Sequence, residues 1–292
     1  MKKKAKIYLQ LMRFPNTFTA MADVLAGYLI VSGGLQMDWP RLAGLIVATT
    51  CIYGAGCVLN DIHDRELDAL ERPTRPIPSG MISVREASVF TGCLYGMGLL
   101  SCFIVGWCTF GIALVLVGCT ISYDLLIKDV KIIGPLNMAS CRSLNLILGM
   151  SLGIGTVSNV WIFALITLGY VFYLTMLSQF EVNGNIRNTR RAFIWGGILV
   201  LVSVIGMELH QPHLIDGIVF SIFCFLFILP PVFTGLSSMK AEFIGRAVKY
   251  LIIGIPLLDA IYVSGRHGWL MGIPVALCIV PALVVGRYFY ST

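Results

Sequence analysis

Long apolar runs separated by short polar segments dominate the chain. A membrane-spanning helix needs about 20 mostly apolar residues, and counting such runs predicts nine or ten spans. They lie near residues 15–35, 41–60, 86–107, 109–126, 134–155, 159–180, 192–208, 215–235, 246–264 and 269–287. The stretch 87–123 has no charged residue, so the chain must turn near Trp107 to Gly111. Continuous runs, as opposed to short alternating segments, indicate helices and not a β-barrel.

The composition agrees with an integral membrane protein. Of the 292 residues, 57% are hydrophobic and 12% are charged, and the mean hydropathy is +0.85, whereas soluble domains carry about a quarter charged residues. These values exclude a soluble enzyme, a disordered protein and a nucleic-acid-binding protein, in spite of the net charge of +6. We therefore predict an all-α membrane protein with one domain over 1–292, in which 1–14 forms a basic head.

The distribution of charge predicts the orientation. With ten spans and a cytoplasmic N-terminus, most of the 21 lysines and arginines fall on the cytoplasmic side, as the positive-inside rule requires. The N-terminal segment lacks the Ser-rich and Arg-rich pattern of a transit peptide, which favours a bacterial inner membrane. The nine cysteines have no spacing typical of zinc sites or disulfides. We therefore expect the cysteines to be small buried hydrophobic residues, and we expect no zinc.

An acidic and amide cluster follows the second span, at Asn60, Asp61, Asp64 and Asp68. On a helix, Asn60, Asp64 and Asp68 form one stripe. Like charges at that spacing repel, and a cation would remove the repulsion. Oxygen ligands suit Mg²⁺, which substrate phosphate commonly completes. The alternative is an ordinary solvated helix end. We expect Asp61 to lie beside the ligands instead of among them.

Basic and polar residues accompany this stripe on the same side of the membrane. Arg72 and Arg75 stand in a proline-rich extended segment, where they would either bind phosphate oxygens or merely obey the positive-inside rule. Later segments add Tyr123, Lys128, Arg142, Asn145, Glu181 and Asn185. An intramembrane arginine normally faces a cavity or a packing partner. Together these residues predict a cytoplasm-facing cavity suited to a diphosphate bridged by Mg²⁺.

The pattern Asn60-Asp61-x-x-Asp64-x-x-x-Asp68 resembles the signature of the UbiA superfamily of intramembrane prenyltransferases. The Arg-Pro-Ile-Pro-Ser-Gly stretch at 75–80 and the helix count extend the likeness over most of the chain, and 134–150 looks like the EboC-like branch. Members generally carry a second DxxxD motif, where this chain has Glu181 and Asn185. This departure predicts a weaker second cation site, or one satisfied by a single metal ion.

A further departure concerns a tyrosine and a lysine after the fourth helix. Many members space these two residues by four, whereas Tyr123 and Lys128 are five apart. The two residues therefore match the pattern of the family only loosely.

The resemblance implies an enzyme that uses Mg²⁺ to ionise an isoprenyl diphosphate and transfers the prenyl group to a small aromatic or lipid-like acceptor. The implied metal ligands are Asn60, Asp64, Asp68 and Glu181. The implied catalytic residues are Asp64, Asp68, Arg72, Lys128 and Arg142. The implied substrate-binding residues are Asn60, Asp61, Arg75, Tyr123, Asn145, Glu181 and Asn185. A membrane terpene cyclase and a non-catalytic isoprenoid carrier remain as alternative functions.

Overall fold

The computed structural model describes residues 2–33, 37–153, 155, 160–183 and 186–289, and these residues form a bundle of helices. In chain order the helices are α1 (Lys2–Leu11), α2 (Phe14–Ser32), α3 (Trp39–His63), α4 (Arg65–Glu71), α5 (Val84–Val105), α6 (Trp107–Ser122), α7 (Ile133–Met150), α8 (Trp161–Asn183), α9 (Ile186–Glu208), α10 (Leu214–Ser238), α11 (Ala241–Ile253), α12 (Ile255–His267), α13 (Trp269–Ala276) and α14 (Ile279–Phe289). In the described part of the chain, eight helical segments are long and apolar enough to cross a membrane. The predicted all-α membrane protein is confirmed.

Two of the ten predicted spans are not among these eight segments, because the one in α7 is less apolar and the one in α9 is shorter. Helix α7 carries Arg142 and Asn145 in its middle, and α9 is apolar only over Phe193–Glu208. The predicted turn between α5 and α6 occurs at Gly106, one residue before the expected segment. Polar residues inside α7 therefore lower its hydropathy without removing it from the bundle.

Helix α2 lies at the centre of the bundle, where it packs against α3, α7 and α12. The backbones of helices α2 and α7 lie very close to each other. A Cβ atom on Gly27 would lie 2.2 Å from the carbonyl oxygen of Leu146, and one on Gly149 would lie 2.2 Å from that of Val24. Small residues allow such close packing in membranes. The polar side chains on the facing sides of α2 and α7 are thereby brought together.

The outer faces of the bundle are apolar. Side chains such as Ile104 and Phe233 are 75% and 69% exposed, as expected of surfaces that face lipid. Two of the nine free cysteines, Cys93 and Cys108, lie on such exposed faces. The prediction that all cysteines are buried is therefore wrong for these two.

Candidate active site

Asn60, Asp64 and Asp68 form the predicted helical stripe at the end of α3 and in α4. The Asp64 amide donates to the Asn60 carbonyl at 2.9 Å, and the Asp68 amide donates to the Asp64 carbonyl at 2.8 Å. The four-residue spacing is kept although Asp64 separates the two helices. No three His, Cys, Asp or Glu side chains in the described ranges are grouped so that they could hold a metal ion. The stripe is not a preformed metal-binding site, because the carboxylates of Asp64 and Asp68 form ion pairs with basic residues.

Two basic residues pair with these acids. Arg75 Nη1 lies 2.5 Å from Asp68 Oδ2 and 3.3 Å from Asp61 Oδ1, and Lys128 Nζ contacts Asp64 Oδ1. Asp68 is only 4% exposed, and a buried carboxylate needs such a partner. The structure thus brings together five residues that the sequence assigned to one site.

Arg13 reaches the same cluster from the break between α1 and α2, and motif analysis missed it. Its backbone is left-handed, with φ 48° and ψ 48°, which costs a non-glycine residue about 1–3 kcal/mol. Its guanidinium lies 3.1 Å from Asp61 Oδ1 and 3.4 Å from Asn60 Oδ1. Burial alone would lower the pKa of Arg13, but the neighbouring Cys57 and Asp61 raise it above its ordinary value. Arg13 therefore remains a cation.

A π-helical turn, residues Tyr123–Ile127, positions Lys128. The Lys128 amide donates to the Tyr123 carbonyl at 3.0 Å, the i to i+5 bond that defines this kind of turn. Five residues therefore close a single turn, as four residues do on an α-helix. The loose match in spacing is thus accommodated by the backbone, and Lys128 reaches Asp64.

A cavity of about 220 Å³ lies beside the stripe. Its lining combines charged, amide, aromatic and apolar side chains, including Arg13, Asn60, Asp124, Tyr53, Tyr123 and Leu116. Asp124, which follows Tyr123 in the sequence and to which we assigned no role, is buried, and its Oδ1 accepts a hydrogen bond from Asn60 Nδ2 at 3.2 Å. Asn60 therefore belongs to both the stripe and the cavity.

Arg142 and Asn145 line the same cavity from α7. Arg142 Nη1 lies 2.7 Å from Asp23 Oδ2, and its Nη2 lies 2.5 Å from Thr19 Oγ1. The guanidinium carbon is 5.6 Å from the centre of the Tyr53 ring. Asn145 Nδ2 donates to the same Asp23 oxygen at 2.9 Å. The intramembrane arginine thus has both a cavity and a partner, Asp23 on α2.

Three predicted site residues remain, and of these only Arg72 has a described side chain, which lies outside this cluster. Arg72 follows α4 with an exposed side chain, and it forms no ion pair with any residue that the structure describes. Glu181 falls in the last turn of α8, but its side chain and the whole of Asn185 lie outside the described residues. The roles assigned to these three residues stay predictions.

A second, wider cleft of about 1080 Å³ lies between α8 and α9. Its walls are mainly apolar, with Tyr173, Met176 and Phe193 among them. None of the stripe residues lines this cleft, so it is separate from the charged cavity.

The fold and the charged intramembrane cavity define the chain as a polytopic membrane enzyme. The model of the UbiA prenyltransferase family matches residues 20–239, which is most of the chain. The chain belongs to the UbiA prenyltransferase family, and it is a membrane prenyltransferase.

Relatives and solved structures agree with this family. The digeranylgeranylglyceryl phosphate synthase of Sulfolobus acidocaldarius is 28% identical over 88% of this chain and 86% of its own length. A solved structure of a digeranylgeranylglyceryl phosphate synthase has a TM-score of 0.66 at 21% identity, covering 91% of this chain and 99% of that one. A UbiA homologue from Archaeoglobus fulgidus, solved with GPP and Mg²⁺, has a TM-score of 0.62 at 14% identity, covering 96% and 99%. At these identities the two structures show the shared fold.

Proposed function

We propose that this prenyltransferase binds an isoprenyl diphosphate together with Mg²⁺ at the stripe and transfers the prenyl group to a lipid-like acceptor. The observation that carries the proposal is a set of buried acids and their cations beside a cavity with aromatic and apolar walls. Relatives named as digeranylgeranylglyceryl phosphate synthases support a glyceryl phosphate lipid as the acceptor.

The donor atoms at the stripe fit Mg²⁺. Asn60, Asp64 and Asp68 offer amide and carboxylate oxygens, and the second motif would add Glu181. Oxygen donors without cysteine or histidine are the set that Mg²⁺ prefers. A bound Mg²⁺ would neutralise the negative charge on the departing diphosphate.

The basic side chains then have a second role. Arg75 and Lys128 balance the acids Asp68 and Asp64 when no cation is bound. With Mg²⁺ bound at the acids, both side chains would be able to donate hydrogen bonds to diphosphate oxygens, and such bonds are stronger when both partners are charged. The exposed Arg72 would add a further donor from solvent.

The cavity wall suits the reacting prenyl group. During transfer, the bond from the prenyl carbon to the diphosphate oxygen breaks, and its electron pair stays on the diphosphate. The acceptor forms the new bond to that carbon and gives up a proton. Tyr53 and Tyr123 line the cavity, and their ring faces attract the positive charge that develops on the carbon.

We further infer that the basic head and the stripe face the cytoplasm. Lys4 and Lys6 lie on α1, and Arg13, which follows this helix, donates a hydrogen bond to Asp61 beside the stripe. The basic head and the stripe therefore lie at the same end of the bundle, and basic residues collect on the cytoplasmic side of membrane proteins. The relatives compared are archaeal, and a bacterial origin stays a prediction.

The test is diphosphate release from purified protein in detergent. The protein is incubated with isoprenyl diphosphates of several lengths, with and without Mg²⁺, and with and without glyceryl phosphate lipids and small aromatic acceptors. We expect release only when both Mg²⁺ and an acceptor are present. Release without an acceptor, accompanied by a hydrocarbon product, would instead show a cyclase. Tight binding without release would show a carrier.

A further inference from the structure

Three charged side chains meet in the interior of the bundle, one from each of three helices. Asp23 on α2 and Asp259 on α12 are both 0% exposed, and Arg142 on α7 is 8% exposed. If all three were ionised, the cluster would carry a net charge of −1 away from water. An uncompensated charge in such surroundings is very costly.

The hydrogen bonds of these groups are incomplete as they stand. Asp23 Oδ2 accepts from both Arg142 and Asn145. Asp23 Oδ1 and both oxygens of Asp259 are buried and have no hydrogen-bond donor among the described residues. The carboxyl groups of Asp23 and Asp259 lie within reach of a shared hydrogen bond, and Arg142 is the other charged group that faces Asp259.

One proton would satisfy this arrangement. Two ionised carboxylates only accept hydrogen bonds, so they repel each other. A protonated carboxyl group donates one hydrogen bond, which would fill the vacant Asp23 Oδ1 and reduce the net charge of the cluster to zero. The proton belongs on Asp259, because Arg142 stabilises the ionised form of Asp23.

We infer that Asp259 is held as a neutral carboxylic acid that donates to Asp23 Oδ1, and that this pair positions Arg142 at the wall of the cavity. With both oxygens of Asp23 engaged, the carboxylate cannot turn away from Arg142. Asp259 is thus a positioning residue that acts through Asp23. Its effect on substrate binding rests on the proposed function, since it requires an anionic substrate in the cavity.

Two substitutions at Asp259 separate a donor role from a role in packing. Asp259→Asn keeps a hydrogen-bond donor of similar size without a negative charge, whereas Asp259→Ala removes the donor. The readout is the Kd of a non-hydrolysable isoprenyl diphosphate analogue with Mg²⁺. We expect Asp259→Asn to bind within about twofold of the unchanged protein. We expect Asp259→Ala to bind about tenfold more weakly, which corresponds to about 1.4 kcal/mol and lies within the range that one hydrogen bond contributes. Asp216→Ala, at the start of α10, is the matched control.

Infrared spectroscopy tests the proton directly and does not depend on substrate. A protonated carboxyl group has a C=O stretching band separate from those of ionised carboxylates, and the band shifts in D₂O. Glu208 is also buried, and neither of its carboxyl oxygens has a hydrogen-bond partner among the described residues, so the diagnostic band is the one that disappears in Asp259→Asn. Its absence from the unchanged protein would overturn the inference. So would a loss of analogue binding in Asp259→Asn as large as that in Asp259→Ala. If the unchanged protein binds no analogue while the band is present, the proposed function fails and the neutral Asp259 stands.

Discussion

Arg75 competes with a metal ion for Asp68, and this competition can be measured. The side chain of Asp68 is 5% exposed and that of Arg75 is 25% exposed, with 2.5 Å between Nη1 and Oδ2. A cation that binds Asp68 must first replace this ion pair. We therefore predict that Arg75→Gln strengthens the binding of Mg²⁺ to the substrate-free protein.

The size of the effect follows from the ion pair. A hydrogen bond to a charged group contributes about 1.5–3 kcal/mol, and screening of the partly exposed Arg75 favours the lower end of that range. Each 1.4 kcal/mol changes an affinity about tenfold, so the Mg²⁺ concentration at half-saturation should fall about tenfold. Asp68 is left buried without its partner, so the variant should also unfold at a lower temperature when no Mg²⁺ is present.

The assay is thermal unfolding in detergent over a titration of Mg²⁺. The matched control is Arg65→Gln, because Arg65 pairs at 2.8 Å with Glu66, which is 85% exposed. We expect the control to follow the unchanged protein. An unchanged or higher half-saturation in Arg75→Gln would refute the view that Arg75 and Mg²⁺ compete for one carboxylate.

Three further predictions concern the metal ligands and the orientation. Asp64→Ala should abolish Mg²⁺-dependent diphosphate release while the thermal transition remains cooperative; near-normal release would make the metal assignment wrong. Asn185→Asp should lower the Mg²⁺ needed to bind a non-hydrolysable analogue, because a carboxylate beside Glu181 binds a divalent ion better than an amide; weaker binding would favour the carrier. In a background without the exposed native cysteines, His213→Cys should be labelled from outside intact cells and Asn188→Cys should not; the reverse would overturn the orientation.

Hydropathy and spacing were enough to predict the fold and the first motif. Apolar runs mark the helices because lipid leaves no other way to satisfy the backbone. The four-residue spacing of Asn60, Asp64 and Asp68 is a local property of a helix, and the structure keeps it. Both the helices and the stripe could therefore be predicted from local patterns in the sequence.

The partners of these residues depend on contacts between distant segments. Arg13 meets Asp61 because the chain bends between α1 and α2, and no local pattern predicts a left-handed arginine. Asp23 meets Arg142 because two glycines let α2 and α7 approach closely. An intramembrane arginine implies some partner, but only the packing of the helices selects which acid it is.

The π-helical turn after α6 has a consequence for comparing this chain with its family. An extra residue in a wide turn is absorbed locally, so Tyr123 still lines the cavity and Lys128 still contacts Asp64. An alignment without a gap, against a member whose tyrosine and lysine are four apart, would place the lysine of that member opposite Ile127. A one-residue gap within 124–127 restores the correspondence. Apparent loss of the lysine in such an alignment therefore reports a change in backbone length and not a change in chemistry.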